Sequence, residues 1–292
     1  MDSLTLGESD PQTGESSMTA WKTIGFDLDG IETTSSSTNV CVPGSSLAQV
    51  DGVDGIDNSW GSSFLPLLQT ALSDQPISAD VTSSILGGRT TTLLRIVGLT
   101  DTRQTATGLM GAASMGASLT LNGDIGASTK WPSVSATSIT FNTVYVVDGT
   151  IVARDADGPL AMTLWPRERF GLGSQPVPLA LSIHGPVLTL RRVPSATFGV
   201  LAGTLDTTEV IDSLHLLAAR ISQTLCGSAF DGITAQVVGM QDIMLDGTNT
   251  PGVPCNAISI GVKFTAKQIA NDATTVDPAP LPNPCAFDAG TD

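Results

Sequence analysis

SITFNTVYVVDGTIVARDADG, residues 138–158, contains the strongest fold signal in the chain. Two runs of β-branched and aromatic residues flank the dipeptide Asp148–Gly149. Such residues favour strands, and an Asp-Gly pair favours the tight turn that joins two antiparallel strands. The stretch therefore predicts a β-hairpin with its turn at Asp148–Gly149.

Similar short runs surround this hairpin on both sides. Further turn signals stand at Asp157–Gly158 and at His184–Gly185. Many short strands with regularly spaced turns are typical of antiparallel sandwiches, of which the concanavalin-like jelly roll is one form. The predicted strands are 21–29, 90–99, 117–124, 138–149, 150–158, 159–165, 178–185, 186–193, 195–205 and 256–269.

The period of the apolar residues changes to that of a helix after residue 206. An apolar stripe there is formed by Val210, Leu214, Leu217, Ile221 and Leu225. This spacing predicts a helix over 207–226, capped by Thr207 or Thr208. Weaker patterns predict helices around 65–72, 77–88 and 231–245. The fold class is therefore a β-rich α+β protein, an antiparallel β-sandwich with two to four packed helices.

Composition along the chain predicts a single globular domain over residues 19–270. Residues 1–18 are polar and rich in Ser, Gly and Glu, which is typical of a flexible N-terminal tether. Residues 271–292 form a Pro-rich tail that Cys285 could hold to the domain.

Charge and hydropathy exclude several classes of partner. The 292 residues include 28 acidic and 13 basic side chains, for a formal net charge of −15. Such a chain repels nucleic acid and anionic lipid surfaces and attracts cations. No apolar run is long enough to span a membrane. We therefore expect no nucleic-acid partner and no membrane span.

The four cysteines indicate an oxidising compartment. They lie at Cys41, Cys226, Cys255 and Cys285, with no C-x-x-C pair and only two His in the chain, which argues against a zinc site. The predicted disulfides are Cys226–Cys255 and Cys41–Cys285; the other two pairings, and four free thiols, remain alternatives. We expect an exported protein, periplasmic or on the cell surface.

The stretch VDGVDGIDNSWG, residues 50–61, follows the earlier acidic run FDLDG at 26–30. Carboxylate and carbonyl oxygens are the ligands that Ca²⁺ prefers. The spacing does not fit an EF-hand, so a structural Ca²⁺ loop of another kind is predicted. The alternative is a pair of Asx turns without a metal. The candidate ligands are Asp27, Asp29, Asp51, Asp54, Asp57 and Asn58.

Signals for catalysis are weak. No G-x-S-x-G motif occurs, and His184 and His215 fit a turn and a helix respectively. The first hypothesis is therefore a non-enzymatic protein of structural or binding role. The second is a carbohydrate- or ligand-binding β-face, presenting an exposed Trp131 or Tyr145. The third is a hydrolase with an unrecognised site.

Several of these stretches together resemble a family. GFDLDGIETT, VDGVDGIDNSWG, TTTLLRIVGL and NAISIGVKFTA, with a Cys before the last, are similar to uncharacterised exported lipoproteins of myxobacteria and related predatory bacteria. The resemblance implies export and residence at the cell envelope, with a lipid anchor in the native precursor, and it implies no known activity. The lipidated Cys is absent from this sequence, and no catalytic residues carry over.

Overall fold

The computed structural model describes residues 1–10, 13, 15–45, 48, 50–72, 76–99, 106–121, 123–165, 178–193, 196–278, 280 and 283–285. Its strands are β1 (Ser3–Thr5), β2 (Thr91–Val97), β3 (Met110–Gly116), β4 (Ser133–Val134), β5 (Ile139–Val147), β6 (Thr150–Ala156), β7 (Leu160–Leu164), β8 (Leu179–Val193), β9 (Ala196–Asp206), β10 (Ala257–Ala266) and β11 (Thr275–Val276). Its α-helices are α1 (Leu65–Leu72), α2 (Ile77–Leu86), α3 (Thr207–Ile221) and α4 (Asp231–Val238). A π-helix, Trp60–Phe64, leads into α1, and short 3-10 helices lie at Ala20–Thr23, Val53–Gly55, Gln223–Cys226 and Ser228–Phe230.

The described strands form one mixed sheet. Their order is β1-β10-β9-β8-β6-β5-β3-β4-β11, with β2 also paired to β3 and β7 also paired to β8. The pairings are antiparallel apart from the parallel pair β4–β11. The predicted β-rich α+β class with two to four helices is confirmed, and the described residues form four α-helices. The sandwich or jelly-roll form is not confirmed, because hydrogen bonds join all eleven strands in one sheet.

The hairpin predicted at residues 138–158 is confirmed. Val147 pairs with Thr150 across the turn, and Asp148 and Gly149 both adopt positive φ, at 48° and 74°. This is the backbone conformation that a two-residue hairpin turn requires.

The turn predicted at His184–Gly185 is wrong. Strand β8 continues through it for 15 residues, with a bulge between His184 and Val187. The bulge accommodates the positive φ of Gly185 without reversing the chain. Before the bulge β8 pairs with β7, and after it with β6. Asp157–Gly158 therefore joins two strands that both pair with β8, and it is not a hairpin turn.

Two other predicted strands are also wrong. Residues 21–29 form part of a 3-10 helix followed by irregular backbone, and the strand predicted at 117–124 instead lies earlier, at Met110–Gly116. In both regions Gly residues interrupt the alternation of apolar and polar residues from which strands are predicted. Small residues stand near both ends of β3: Gly111 leaves room for the side chain of Val144, and Gly116 leaves room for that of Trp131.

The core lies between the inner sheet face and the helices. Leu188, Leu201 and Ile260 from the sheet are buried there with Val210 and Leu214 of α3. Trp131, predicted to be exposed, is 2% exposed, and its indole N–H donates to the Ala117 carbonyl at 2.5 Å. That hydrogen bond satisfies the polar edge of the ring, so the whole side chain can be buried.

Helix α3 confirms the predicted apolar stripe from Val210 to Ile221, but it ends at Ile221, so Leu225 lies in the following 3-10 helix, and its cap differs from the predicted one. The Asp206 carboxylate accepts hydrogen bonds from the backbone N–H groups of Thr208 and Glu209, at 2.7 and 3.2 Å. Asp206 ends β9 in an extended conformation, so it occupies the N-cap position that the sequence had assigned to Thr207 or Thr208.

The predicted N-terminal tether is wrong for the first residues. Strand β1 pairs with β10, and Leu4 and Leu6 are buried in the core. The alternation of Leu4 and Leu6 with polar residues is the period of an edge strand, in a segment whose composition suggested disorder. At the other end, β11 pairs with β4. The sheet therefore extends beyond both predicted domain boundaries, residues 18 and 271.

The predicted disulfide pairing is also wrong. The bonds are Cys41–Cys255 and Cys226–Cys285, with Cα–Cα distances of 5.2 and 5.4 Å. Cys255 lies beside the N-terminal end of α3, where Ala257 pairs with Asp206, whereas Cys226 follows its C-terminal end. A 15-residue helix is about 22 Å long. Cys226 and Cys255 are therefore near in sequence and far apart in space. Cys285 does hold the C-terminal tail, through Cys226.

In the part of the chain that the structure describes, no helix combines the length and the apolar character needed to cross a membrane.

Candidate metal centre

Three segments cover part of the outer sheet face: residues 24–33, 51–61 and 240–256, here called the covering segments. Ser59 N donates to Ser259 Oγ at 2.8 Å, and Thr204 Oγ1 donates to the Leu245 carbonyl at 2.7 Å. The outward side chains of Ser259 and Thr204 are consequently buried. The covering segments hold the acidic residues that the sequence singled out.

An aspartate triad lies within these segments. One carboxylate oxygen each of Asp27, Asp29 and Asp57 lies within 4.8 Å of the others. Asp57 is 3% exposed, Asp29 is half-buried and Asp27 is exposed, so the triad extends from the interior to the surface. Asp57 Oδ2 accepts from Leu28 N and Asp27 Oδ1 from Gly30 N, both at 2.7 Å.

Asn249 connects the triad to a disulfide. Its amide Nδ2 donates to Asp29 Oδ2 at 2.6 Å, and its Oδ1 accepts from the backbone N–H of Cys41. The other oxygen of Asp29 accepts from Ile31 N at 2.8 Å. The disulfide Cys41–Cys255 therefore holds the backbone of Cys41, to which Asn249 and through it Asp29 are hydrogen-bonded.

Two further carboxylates lie close enough to the triad to interact with it electrostatically. Asp51 Oδ2 accepts from Thr33 N at 2.5 Å. Asp242 accepts from Ser259 N at 2.8 Å and from the hydroxyl of Ser259. Burial, with a smaller contribution from neighbouring carboxylates, raises the pKa of Asp51 to about 6 and that of Asp242 to about 8.

Asp57 is the most perturbed member of the triad. Burial, followed by the charges of Asp29 and Asp242, raises the pKa of Asp57 to about 9. Burial also raises the pKa of Asp29. None of the ion pairs formed among the described residues reaches these carboxylates. Without a cation, the raised pKa values of Asp57 and Asp242 therefore favour their protonated forms at neutral pH.

The backbone approaches Asp27 closely at Gly55. This residue has a φ of +79°, and a Cβ added to it would lie 3.2 Å from Asp27 Cγ and Oδ2. Gly55 thus supplies both a left-handed conformation and the space that the carboxylate needs.

The structure brings together three of the six predicted ligands. Asp51 lies near the triad but outside it, and Asp54 is exposed on the 3-10 turn with a φ of 56°. Asp29 also makes the Asx-type bond to Ile31 N that the alternative reading predicted. Cluster and Asx turn therefore coexist.

Asn58 has a role different from the predicted one. Its Nδ2 donates to the Ile24 carbonyl at 2.8 Å, and its Oδ1 accepts from the N–H groups of Gly61 and Gly261 at 2.9 and 3.1 Å. The buried Asn58 amide thus fastens the covering segments to β10, and it lies outside the triad.

The sequence analysis did not identify Asp242 or Asn249 as residues of the site. Asp242 stands in a stretch whose apolar spacing predicted a helix over 231–245, although α4 ends at Val238. Asn249 follows the turn residues Asp246–Gly247, which indicated only a loop. Both residues lie about 190 to 220 positions from the triad residues that they interact with, so no local pattern could have assigned them to the site.

The donors of the triad fit a hard cation. All are oxygens, and the four cysteines are held in disulfides. Two oxygens bound to one Ca²⁺ at 2.3–2.6 Å can lie up to about 5 Å apart, which accommodates the separations within the triad. The cluster can therefore hold a metal ion of the class that carboxylates prefer.

Comparisons with models of protein families, with curated proteins and with solved structures gave no match. The two disulfides indicate a non-cytoplasmic environment.

Proposed function

We propose that the protein is a non-enzymatic, exported protein of the cell envelope, in which Ca²⁺ bound at the aspartate triad fastens the covering segments to the sheet. The observation that carries this proposal is the convergence of Asp27, Asp29 and Asp57 within 4.8 Å, with no cationic side chain paired to them among the described residues. A buried set of like charges is stable only when it is protonated or neutralised by a cation.

Ca²⁺ is the favoured ion for two reasons. It accepts irregular sets of six to eight oxygens, whereas Mg²⁺ requires a near-ideal octahedron. The formal charge of −15 also concentrates divalent cations at the surface. Extracellular Ca²⁺ modules bind with dissociation constants of about 10⁻⁴–10⁻³ M, which is enough for a structural role outside the cell.

Export and a non-catalytic role have separate support. The disulfides Cys41–Cys255 and Cys226–Cys285 form in oxidising compartments, and the resemblance to exported lipoproteins of predatory bacteria implies the same destination. The two histidines have structural surroundings: His184 pairs with Glu209 at 3.2 Å, and His215 packs on Phe230 at 4.6 Å between ring centroids.

The test is thermal unfolding after EDTA treatment, under non-reducing conditions, with Ca²⁺, with Mg²⁺ or without a divalent ion. At 100 times its dissociation constant, a ligand of the native state adds about 2.7 kcal/mol, which is about 5–10 °C for a chain of this size. We expect this rise with Ca²⁺ and a smaller one with Mg²⁺.

Asp57→Asn is the variant that separates the metal site from a general salt effect. It removes one ligand charge but keeps an oxygen that accepts from Leu28 N. We expect it to abolish most of the Ca²⁺-dependent rise. Asp124→Asn is the matched control, because Asp124 is exposed in a turn outside the covering segments. No rise in the unaltered protein, or an equal rise in both variants, would refute the proposal.

A further inference from the structure

Part of the outer sheet face is left open beside the covering segments. Two rows of outward side chains cross six adjacent strands there, and we call this surface the open face. One row is Ser3, Thr265, Phe198, Arg191, Thr150 and Val147, and the second is Thr5, Lys263, Val200, Thr189, Val152 and Tyr145. With strands about 4.8 Å apart, each row is about 24 Å long.

The charge of the open face is opposite to that of the chain. None of its twelve side chains is acidic, although the chain has 28 acidic residues, and two of the twelve are cations. Neither Arg191 nor Lys263 forms an ion pair with any described residue. Asp148 stands in the turn at one edge, and Asp2 at the other is paired with Lys267 at 3.7 Å. The open face is therefore a local positive surface whose two cations have no ion-pair partner among the described residues.

Its remaining side chains offer hydroxyl groups and apolar rings. Phe198 and Val147 are each 42% exposed, and Tyr145 is half-buried. Five of the twelve positions are Ser or Thr residues on β1, β6, β8 and β10. A shallow groove of about 730 Å³ runs along the centre, with Phe198 between Arg191 and Thr265.

We propose that the open face binds an acidic polysaccharide whose carboxylate groups are spaced along the chain, such as a polymer that contains uronic acid. Arg191 and Lys263 would pair with its carboxylates, and the Thr hydroxyls would bond to sugar hydroxyls. Phe198 would stack on the apolar face of a ring. This site is separate from the aspartate triad and goes beyond the function proposed above.

Charge density selects this ligand over a nucleic acid. Duplex DNA has about one charge per 1.7 Å, and its binding requires many cations. The open face offers two unpaired cations over about 24 Å, on a protein of net charge −15. A polymer with sparse carboxylates matches that spacing without strong repulsion from the rest of the surface.

The geometry also disfavours an acidic peptide. Extended peptides commonly bind by adding a strand to a free sheet edge, where main-chain hydrogen bonds supply affinity. The open face is the flat of the sheet, and the backbone groups of its central strands are already paired. The edge strand β1 has only three residues. Side-chain hydroxyls and rings remain as the binding groups, and these suit a sugar chain.

Binding of the full chain to immobilised hyaluronate, a uronic-acid polymer, tests the proposal. The other arms are dextran, dextran sulfate and poly-glutamate, all at one CaCl₂ concentration and one salt concentration. We expect binding to hyaluronate that weakens with added salt, no binding to dextran, and binding to poly-glutamate that is weaker by about tenfold, a difference of about 1.4 kcal/mol.

Arg191→Glu and Arg192→Glu make a matched pair of variants. The two residues are neighbours in β8 and both exposed, but alternation places Arg192 on the opposite face. We expect Arg191→Glu to weaken hyaluronate binding about tenfold or more and Arg192→Glu to change it less than about twofold. Phe198→Ala should weaken it about fivefold, since it removes the stacking ring.

Several results would overturn the proposal. One is equal binding to hyaluronate and dextran, and another is an equal loss of hyaluronate binding in Arg191→Glu and Arg192→Glu. A third is equal affinity for poly-glutamate and hyaluronate with no effect of Phe198→Ala, which would indicate an acidic protein partner. Binding to dextran sulfate more than tenfold tighter than to hyaluronate would show that the open face recognises sulfate groups and not spaced carboxylates. Asp57→Asn should retain hyaluronate binding, so the two proposals fail independently.

Discussion

The two halves of the outer sheet face differ in burial and in the sign of their charge. In the covered half, buried carboxylates of the covering segments, such as Asp57 and Asp242, have no cationic partner among the described residues. In the open half, the exposed Arg191 and the half-buried Lys263 have no anionic partner among the described residues. Each half therefore has an unbalanced charge, and we have assigned a cation to the first and a polyanion to the second.

Side-chain size changes along β10, a strand that both halves share, at the point where the cover ends. In β10 the outward residues are Ser259 and Gly261 in the covered half and Lys263 and Thr265 in the open half. A Cβ on Gly261 would lie 2.3 Å from the Ile24 carbonyl oxygen, so only Gly admits the covering segment at this point. Beyond this point the outward side chains of β10, Lys263 and Thr265, are larger and remain uncovered by these segments.

Removing a disulfide should have the largest effect and should distinguish the two halves. Cys41–Cys255 closes a separation of 214 residues and Cys226–Cys285 one of 59. Chain entropy predicts that Cys41→Ala/Cys255→Ala lowers the free energy of unfolding by about 5 kcal/mol and Cys226→Ala/Cys285→Ala by about 4 kcal/mol. Urea unfolding measures both.

The response of each double variant to Ca²⁺ is the sharper measurement. Because Asn249 connects Cys41 to Asp29, loss of Cys41–Cys255 should reduce the Ca²⁺-dependent rise in melting temperature. Loss of Cys226–Cys285 should leave it unchanged. A reduced response in both double variants would show that the covered half is not an independent unit.

Asn58→Ala should have the next largest effect on stability. It leaves the buried N–H groups of Gly61 and Gly261 and the Ile24 carbonyl without their partner, which costs about 3 kcal/mol. Because Asn58 lies outside the triad, the increment in free energy from Ca²⁺ should persist in this variant. Urea unfolding with and without Ca²⁺ measures both quantities; loss of the increment would place Asn58 among the ligands.

The pH dependence of stability should differ between the metal-free and Ca²⁺-bound protein. The folded-state pKa values of Asp57 and Asp242 are about 9 and about 8, well above the unfolded value of about 3.9. The folded state therefore binds more protons than the unfolded state between these limits. In EDTA, the stability contributed by these groups falls as pH rises from about 4 to about 9.

Ca²⁺ should reverse the slope, because the ion competes with protons for the same carboxylates and binds better as pH rises. Melting temperatures from pH 5 to 8, in EDTA and in CaCl₂, measure both profiles. Asp57→Asn in EDTA should show a flatter profile than the unaltered protein. Parallel profiles with and without Ca²⁺ would contradict a shared site for protons and metal.

The smallest effect on stability is expected in the open half. Arg191→Glu changes an exposed side chain with no ion pair among the described residues, so the free energy of unfolding should change by less than about 0.5 kcal/mol. Urea unfolding beside the Arg192→Glu control measures this. A loss above about 2 kcal/mol would show that Arg191 supports the fold and is not free for a ligand.

Patterns within a few residues were read correctly where the local signal was strong. The hairpin at Asp148–Gly149 and the stripe of α3 both involve contacts between near neighbours. The failures were of another kind. A Gly that forms a bulge in β8 resembles a Gly in a turn, and a polar N-terminal segment conceals the two buried side chains of an edge strand.

The sequence by itself determined the β-rich class, the strong acidity and the even number of cysteines, because composition and short-range spacing carry that information; it included the three aspartates of the triad only among six candidate ligands. Only the tertiary structure decided the disulfide partners, the contributions of Asp242 and Asn249, and the division of the outer face. These depend on residues about 60 to 220 positions apart, and the packing of whole segments, not local propensity, determines which of them meet.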